Sequence, residues 1–144
     1  MSETLVIDRL GHRGDGIAMT GAGPVYVPFA LPGERVTVSG TGERRRIEAI
    51  LEPSALRRQP VCRHFGRCGG CQLQHLAASA YHDWKRRLVV SALERMGIET
   101  EVRPLLAFPA ASRRRAIFTA QATARGPVFG FAERRSDTVV DIAE

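Results

Sequence analysis

The stretch GIAMTGAGPVYVPFALPGERVTVSG, residues 16–40, contains three short β-prone runs separated by turns rich in glycine and proline. Valine, tyrosine and phenylalanine favour strands, whereas TGAG and ALPG combine residues that favour tight turns. Similar runs lie on both sides, at LVIDRL (5–10) and RRIEAILE (45–52). Several short strands with frequent turn signals are typical of a small all-β barrel or sandwich. We therefore predict an OB-like barrel over residues 1–53, a fold that often binds single-stranded nucleic acid.

The chain of 144 residues is long enough for one ordinary domain or two small ones. Its composition is that of a soluble protein, and no apolar run approaches the roughly 20 residues that a membrane span needs. The N-terminus carries acidic residues and lacks the basic start and apolar core of a signal peptide. We therefore expect a cytoplasmic monomer without a membrane partner. In a reducing cytosol, clustered cysteines indicate metal ligands rather than disulfides.

The net charge of +6 is unevenly distributed along the chain. Residues 1–52 contain six arginines and seven acidic residues, whereas residues 53–144 contain fourteen arginines and one lysine against eight acidic residues. The second part therefore has a net charge of +7. A basic surface favours an anionic partner, most often nucleic acid. Arginine suits this role because its planar fork matches phosphate and base edges.

Residues 54–144 are predicted to form a second part, which begins with a proline-bounded linker. A helix is predicted from Ser79, which would cap it, to Met96, and Gly97 would end it. Its apolar stripe is interpreted as core, and its outer face offers cations to RNA. The stripe consists of Tyr81, Trp84, Leu88, Ala92 and Met96, and the cations are Lys85, Arg86 and Arg87. Beyond Ser112 the runs RRRAIFTAQATA, VFGFAE and DTVVDIA predict β-structure.

The cysteines form a tight cluster. All three lie in the stretch PVCRHFGRCGGCQLQHL (60–76): Cys62, Cys68 and Cys71. Three thiolates on one loop can hold three corners of a [4Fe–4S] cluster or three positions of a tetrahedral zinc. Zinc would take a fourth ligand from His64 or His75, whereas a cluster would normally take a fourth cysteine. Unliganded buried cysteines and a redox pair at Cys-Gly-Gly-Cys are further alternatives, although no thioredoxin-like βαβ pattern surrounds the pair.

The stretch CRHFGRCGGCQLQHL resembles the iron–sulfur motif of the RNA (uracil-5-)-methyltransferases, which make 5-methyluridine in ribosomal and transfer RNA. The run GDGIA, then VYVPFALPGERV and EPS, is similar to the TRAM domain that precedes this motif in many members. The later RRRAIF and VFGF…VVDI resemble the central β region of the family. The resemblance therefore covers nearly the whole chain. It implies a mainly β fold with one helix, made of a TRAM barrel, a cysteine loop and an incomplete antiparallel central domain.

The resemblance also implies a ligand set and a division of labour. Cys62, Cys68 and Cys71 would bind a [4Fe–4S] cluster, and the fourth cysteine of relatives is expected just beyond Glu144. Relatives continue into a domain that binds S-adenosylmethionine and supplies the catalytic cysteine and a carboxylate base. None of that domain lies in this sequence, so no catalytic residue is assigned and the chain alone is expected to be inactive.

Arg113, Arg114 and Arg115 are the leading candidates for RNA contact. On a strand, Arg113 and Arg115 would share one face and Arg114 would lie on the other. The aromatic residues Phe118 and Phe129, together with Phe131, are interpreted as core rather than as stacking platforms. Ribosomal RNA is the expected partner in preference to transfer RNA.

Two other classes of protein compete with the methyltransferase interpretation. The first is a free-standing RNA-binding module in which the three cysteines and a histidine hold zinc. The second is a fragment of a radical enzyme that methylthiolates tRNA, since those enzymes also carry TRAM domains. Their cluster loop has a different cysteine spacing and their TRAM domain lies at the other end of the chain, so this sequence fits them poorly.

Overall fold

The computed structural model describes residues 2–109 and 112–142, which contain nine strands and one helix. Two compact units are formed: Met1–Gln59 with His75–Leu106, and Pro60–Gln74 with Ala107–Glu144. The predicted mainly β fold with one helix is confirmed. The predicted boundary at residue 53 stays a prediction. The elements are β1 (Glu3–Val6), β2 (Arg9–Leu10), β3 (Gly16–Thr20), β4 (Gly23–Val27), β5 (Arg35–Ser39), β6 (Arg46–Glu52), α1 (Ala78–Arg95), β7 (Thr119–Thr123), β8 (Gly126–Ala132) and β9 (Val139–Asp141).

The first unit contains two three-stranded antiparallel sheets around one core. One sheet has the order β1-β5-β6 and the other β2-β3-β4. The predicted run LVIDRL crosses from one sheet to the other: the Ile7 N–H donates to the Glu34 carbonyl, and the Asp8 N–H donates to the Ile17 carbonyl. Alternate side chains of β5 (RVTVS) point inward, and both of its valines are fully buried. The shared core consists of Leu5, Ile7, Ala18, Val25, Val27, Ala30, Val36 and Val38.

A buried ion pair joins this barrel to the linker. Glu34 is fully buried, and its carboxylate receives two hydrogen bonds from Arg57, at 2.5 Å from Nε and 2.8 Å from Nη2. The same carboxylate accepts the backbone N–H groups of Leu31 (2.8 Å) and Ser54 (3.2 Å). Burial alone would raise the pKa of Glu34, but these hydrogen bonds outweigh it and hold the pKa below its usual value. These hydrogen bonds therefore offset the cost of removing the ion pair from water.

His75 lies beside this pair in the interior of the first unit. It is 1% exposed, and its ring meets the ring of Phe29 edge-on at 6.1 Å. Burial and then the charge of Arg57 lower its pKa to about 4, although the carbonyl of Phe29 and the charge of Glu34 oppose this shift. The neutral imidazole is therefore the form that the fold selects.

The helix α1 begins one residue before the predicted start, and its cap differs. Ala77 occupies the N-cap position without a side-chain hydrogen bond, so the prediction that Ser79 caps the helix is wrong. The Ala77 N–H instead donates to the Leu56 carbonyl, so the helix start is set by a tertiary contact. The C-terminal end follows the prediction: Gly97 has φ +70°, and the N–H groups of Gly97 and Ile98 close a Schellman motif on α1.

The prediction that the apolar stripe of α1 forms core is only half correct. Tyr81, Trp84 and Leu88 are half-buried, whereas Ala92 and Met96 are exposed, Met96 to 77%. No residue of α1 is fully buried. The stripe is therefore a partial contact face rather than a core helix face. No helix in the described part of the chain is long and apolar enough to cross a membrane.

The second unit is a three-stranded antiparallel sheet, in the order β7-β8-β9, with the cysteine loop along part of β8. The Gly69 N–H donates to the Ala132 carbonyl at 2.9 Å, and Cys68 forms an antiparallel bridge with Glu133. A Cβ atom at Gly69 would lie 2.6 Å from that carbonyl oxygen. Position 69 therefore requires glycine because backbone meets backbone there.

We predict that the first unit loses stability as the pH falls from 6.5 towards 4. Unfolded histidine has a pKa of about 6.5, whereas that of His75 is about 4. Between these values the unfolded state binds one more proton, so stability should fall by up to about 1.4 kcal/mol per pH unit. Urea denaturation followed by fluorescence of Trp84, the single tryptophan, measures this slope. Glu34 adds to this loss of stability only near and below its usual pKa of 4.5, because its folded pKa is lowered.

The control for this slope is a second histidine of the same unit. His75→Gln should flatten the dependence between pH 5 and 6.5, whereas His12→Gln, at an exposed position, should leave it unchanged. An unchanged slope in His75→Gln would contradict the assignment.

We predict that Gly69→Ala loosens the cysteine loop from the sheet, at a cost of about 1–3 kcal/mol, because the backbone cannot move aside. Gly70→Ala is the matched control, since its Cβ would meet the Phe131 ring at 3.3 Å and a ring can shift. Amide hydrogen exchange of peptides covering residues 60–74 measures the effect. Equal protection in both variants would show that the close approach does not matter.

Candidate functional site

The cysteine loop is a series of tight turns in the second unit. The Phe65 N–H donates to the Cys62 carbonyl (3.1 Å), and the Cys68 N–H donates to the His64 carbonyl (2.9 Å). Cys62 and Cys68 are half-buried, whereas Cys71 is exposed. The Gly70 N–H lies 3.4 Å from the Cys68 sulfur, an arrangement that stabilises a thiolate or a metal-bound sulfur. The loop therefore supports Cys68 as a ligand through its own backbone.

Two side-chain contacts hold the loop, one at its ends and one in its middle. The Cys62 N–H donates to Gln74 Oε1 at 3.1 Å, which joins the two ends of the loop. Arg67 forms an ion pair with Glu133 at 2.6 Å, next to the bridge with β8. The Arg67–Glu133 pair could not be predicted from the sequence, because the two residues are 66 positions apart.

The donor set of the loop suits a metal, but its ligands are not gathered around one point. Among residues 2–109 and 112–142, no group of three or more His, Cys, Asp or Glu side chains is placed to hold a metal ion. His64 Nε2 is nevertheless buried and finds no hydrogen-bond partner in the described part of the chain. Such a nitrogen is unusual, and it lies between two cysteines in the sequence. The loop thus has the chemistry of a metal site, with the thiols of Cys62, Cys68 and Cys71 as the first candidates.

His64 and His75, the two candidate zinc ligands, lie in different units. His64 belongs to the cysteine loop, whereas His75 lies in the interior of the first unit near Arg57 and Glu34. The low pKa of His75 has its cause in that unit. His64 is therefore the histidine that the structure leaves available to the loop.

The arginines Arg113, Arg114 and Arg115 are exposed, but they are not on a strand. The prediction of a strand from residue 112 is wrong, since β7 begins at Thr119. The physical reason lies at the end of β8, where the Ala132 carbonyl accepts the Gly69 N–H. In an antiparallel ladder this carbonyl faces the side on which β7 would continue. The cysteine loop therefore occupies the edge that an extension of β7 would need.

A second run of three arginines, residues 44–46, has the same letters and a different environment. Each of its members pairs with an acidic side chain: Arg44 with Asp15, Arg45 with Glu3 and Arg46 with Glu48. Arg113, Arg114 and Arg115 form no salt bridge with the described residues. Within the described part of the second unit, these three cations therefore have no local counterions, as an anion-binding surface requires.

The three cations predicted on α1 have different surroundings, although all three are exposed. Lys85 Nζ lies 5.7 Å and 5.6 Å from the ring centroids of Tyr81 and Trp84, within cation–π range. The Arg86 Nε donates to the Val102 carbonyl at 2.9 Å. Arg87 lines a groove beside the barrel. Arg87 is thus the one whose side chain has no described partner.

Three phenylalanines form a cluster at the sheet of the second unit. The Phe118 ring lies 4.8 Å from that of Phe129 and 4.9 Å from that of Phe131. Phe118 and Phe129 remain 39% and 46% exposed, so the prediction that they form core is wrong for these two. Phe131 is half-buried and packs near Gly70 of the cysteine loop.

Comparisons with known proteins find similarity between this chain and RNA methyltransferases. No family model matches it. It is 48% identical to an uncharacterized RNA methyltransferase of Agrobacterium fabrum, over 99% of this chain and 36% of that protein. It is 41% identical to a protein of Halomonas elongata named 23S rRNA (uracil(1939)-C(5))-methyltransferase RlmD, over 96% of this chain and 30% of that protein. A protein of the same name from Chromohalobacter salexigens is 39% identical over 98% of this chain.

The chain spans about a third of the length of these curated relatives. The similarity nevertheless extends over nearly all of its residues, including both units. The resemblance predicted from the cysteine loop is thereby confirmed, and the chain is homologous to part of the RNA methyltransferases, among them enzymes named for the C5 position of uracil in 23S rRNA.

Proposed function

We propose that this chain is the RNA-binding and metal-carrying part of an RNA uracil-5 methyltransferase that acts on ribosomal RNA. The observation that carries the proposal is its similarity, over 96% of its length, to a protein named as a 23S rRNA uracil-C5 methyltransferase. The cysteine loop and the unpaired arginines supply the chemistry that this role needs. No residue of the chain is assigned to methyl transfer.

RNA binding is a separate requirement of such an enzyme. A base in a structured RNA must be unstacked before an active site can reach its C5 atom. Contacts to the phosphates on either side hold the RNA while the base is presented. In this chain Arg113, Arg114 and Arg115 are the best placed for phosphate contacts, because they are exposed and have no acidic partner among the described residues. Phe118, three residues after this run, and Phe129, which contacts it, are partly exposed and offer surfaces for stacking.

We predict that binding of single-stranded RNA falls steeply with salt and depends on these arginines. Replacing all three by alanine should reduce the slope of log K against log salt by about 2, since each phosphate contact contributes about 0.7. Fluorescence anisotropy of labelled RNA at several salt concentrations measures the slope. Among single variants, Arg114→Ala should weaken binding, whereas Arg46→Ala, whose partner is Glu48, should have little effect. Equal losses in both would indicate a non-specific charge effect.

The metal site is proposed at Cys62, Cys68 and Cys71. The residues fit a [4Fe–4S] cluster in their chemistry: three thiols lie on one loop, and a backbone N–H points at one sulfur. When bound, the cluster would cross-link the loop that the sheet of the second unit holds in place. Gly69 and Arg67 hold the middle of that loop at the end of β8, through Ala132 and Glu133. Gln74 joins the two ends of the loop through the Cys62 N–H.

A zinc-containing RNA-binding module is the second candidate, and one observation favours it. His64 Nε2 is buried without a described hydrogen-bond partner, and a neutral imidazole nitrogen is a common zinc ligand. With the three cysteines it would complete a four-ligand set.

We predict that anaerobically purified protein contains iron and acid-labile sulfide and that Cys68→Ser loses both, because three protein ligands cannot spare one. His64→Gln separates the two candidates. It should retain iron and sulfide if the three cysteines hold a cluster, and it should lose metal if His64 is a zinc ligand. One equivalent of zinc without sulfide or colour, even after reconstitution with iron and sulfide, would contradict the cluster. Metal and sulfide analysis with an absorbance scan measures all three proteins.

A further inference from the structure

A groove of about 660 Å³ lies in the first unit between α1 and the barrel. Its apolar lining comes from Leu10 and Leu56 on the barrel and linker side, and from Trp84 and Leu88 on α1. Protein interiors normally close such spaces to near-crystalline density. Here α1 has no fully buried residue, so its apolar face is left open along the groove. Clefts of about 300–1,000 Å³ are the usual size of small-ligand sites.

One polar atom of a residue that lines this groove has no hydrogen-bond partner in the described part of the chain. The indole Nε1 of Trp84 is buried, and no acceptor among the described residues receives its hydrogen bond. A buried donor without an acceptor costs about 1–3 kcal/mol, and tryptophan is ordinarily placed where its N–H is satisfied. Trp84, which lines the groove, therefore has a donor whose hydrogen bond is not made within the described part of the chain.

The charged residues of the groove include both signs: Arg9 and Arg87 are cationic, and Asp8 and Asp83 are acidic. Arg9 and Arg87 line the groove and form no salt bridge with the described residues. The Asp8 carboxylate already accepts the Met19 N–H at 2.7 Å. Asp83 is exposed at the same groove and can accept a hydrogen bond from a hydroxyl group.

We infer that this groove takes one nucleotide of a single-stranded RNA. The base enters the apolar part and accepts the hydrogen bond of Trp84 Nε1 through a ring carbonyl or nitrogen. Arg9 and Arg87 receive the phosphates, and Asp83 accepts a hydrogen bond from the ribose 2′-hydroxyl, which distinguishes RNA from DNA. The inference rests on the proposed function, because it adds a second RNA contact in the first unit to the arginine run of the second.

Trp84 makes the test direct, because it is the only tryptophan of the chain. Titration of the 144-residue protein with a short single-stranded RNA should change its emission saturably, with the same midpoint as the anisotropy of labelled RNA. DNA of the same sequence should bind more weakly. Trp84→Phe keeps an aromatic ring and removes the donor, and it should reduce RNA affinity about fivefold by anisotropy.

Variants of the groove cations provide the control. Arg87→Ala should weaken RNA binding about tenfold, as loss of a charge-assisted contact does. Arg95→Ala changes the same charge on the last turn of α1, outside the groove, and should leave the midpoint within twofold. Circular dichroism of each variant shows whether α1 is intact.

The outcomes separate this inference from the proposed function. If labelled RNA binds but the emission of Trp84 does not change, or if Arg87→Ala binds as well as Arg95→Ala, the groove is not an RNA site although RNA binding stands. A peptide that changes the emission while RNA does not would assign the groove to a protein segment and overturn the inference. If no RNA binds by either measurement, both the inference and the RNA-binding part of the proposed function fail.

Discussion

Glu34 and Arg57 meet in the interior of the first unit, and four hydrogen bonds satisfy the carboxylate. Such a pair contributes little net stability when intact, but losing one partner leaves a buried charge and typically costs about 3–5 kcal/mol. Arg57 also donates to the carbonyl of Phe29, and after burial its charge is the second cause that lowers the pKa of His75. Arg57, just before the cysteine loop, and His75, just after it, are therefore both held in the interior of the first unit.

The fold of the first 52 residues could be predicted because its signals are local. Alternating buried residues and turn glycines lie within a few positions of one another, and they correctly indicate where the strands lie. The ends of α1 show the limit of this reasoning. Gly97 ends the helix through its own backbone conformation, which the sequence reveals. Its start depends on a hydrogen bond from Ala77 to Leu56, so the capping preference of Ser79 had no effect.

The candidate site was predictable in its residue types and less so in its surroundings. The two runs of three arginines cannot be told apart by their letters. Only the fold shows that Asp15, Glu3 and Glu48 neutralise the first run and that no described acid neutralises the second. The same holds for the residues before Thr119, which were predicted to be a strand. The Ala132 carbonyl that this strand would need already accepts the Gly69 N–H. Long-range partners, rather than propensities, decide which charged and apolar groups remain available.

The pairing of the cysteine loop with β8 has a consequence for the order of events during synthesis. Arg67 and Glu133 are 66 residues apart, and ribosomes add roughly 5–20 residues per second. For several seconds, therefore, the nascent chain contains its thiols but not the strand that supports them. The barrel and α1 can form in that interval, because their contacts close within residues already made. The three thiols would lie on an unsupported loop during that interval, and the arrival of β8 would complete the second unit around them.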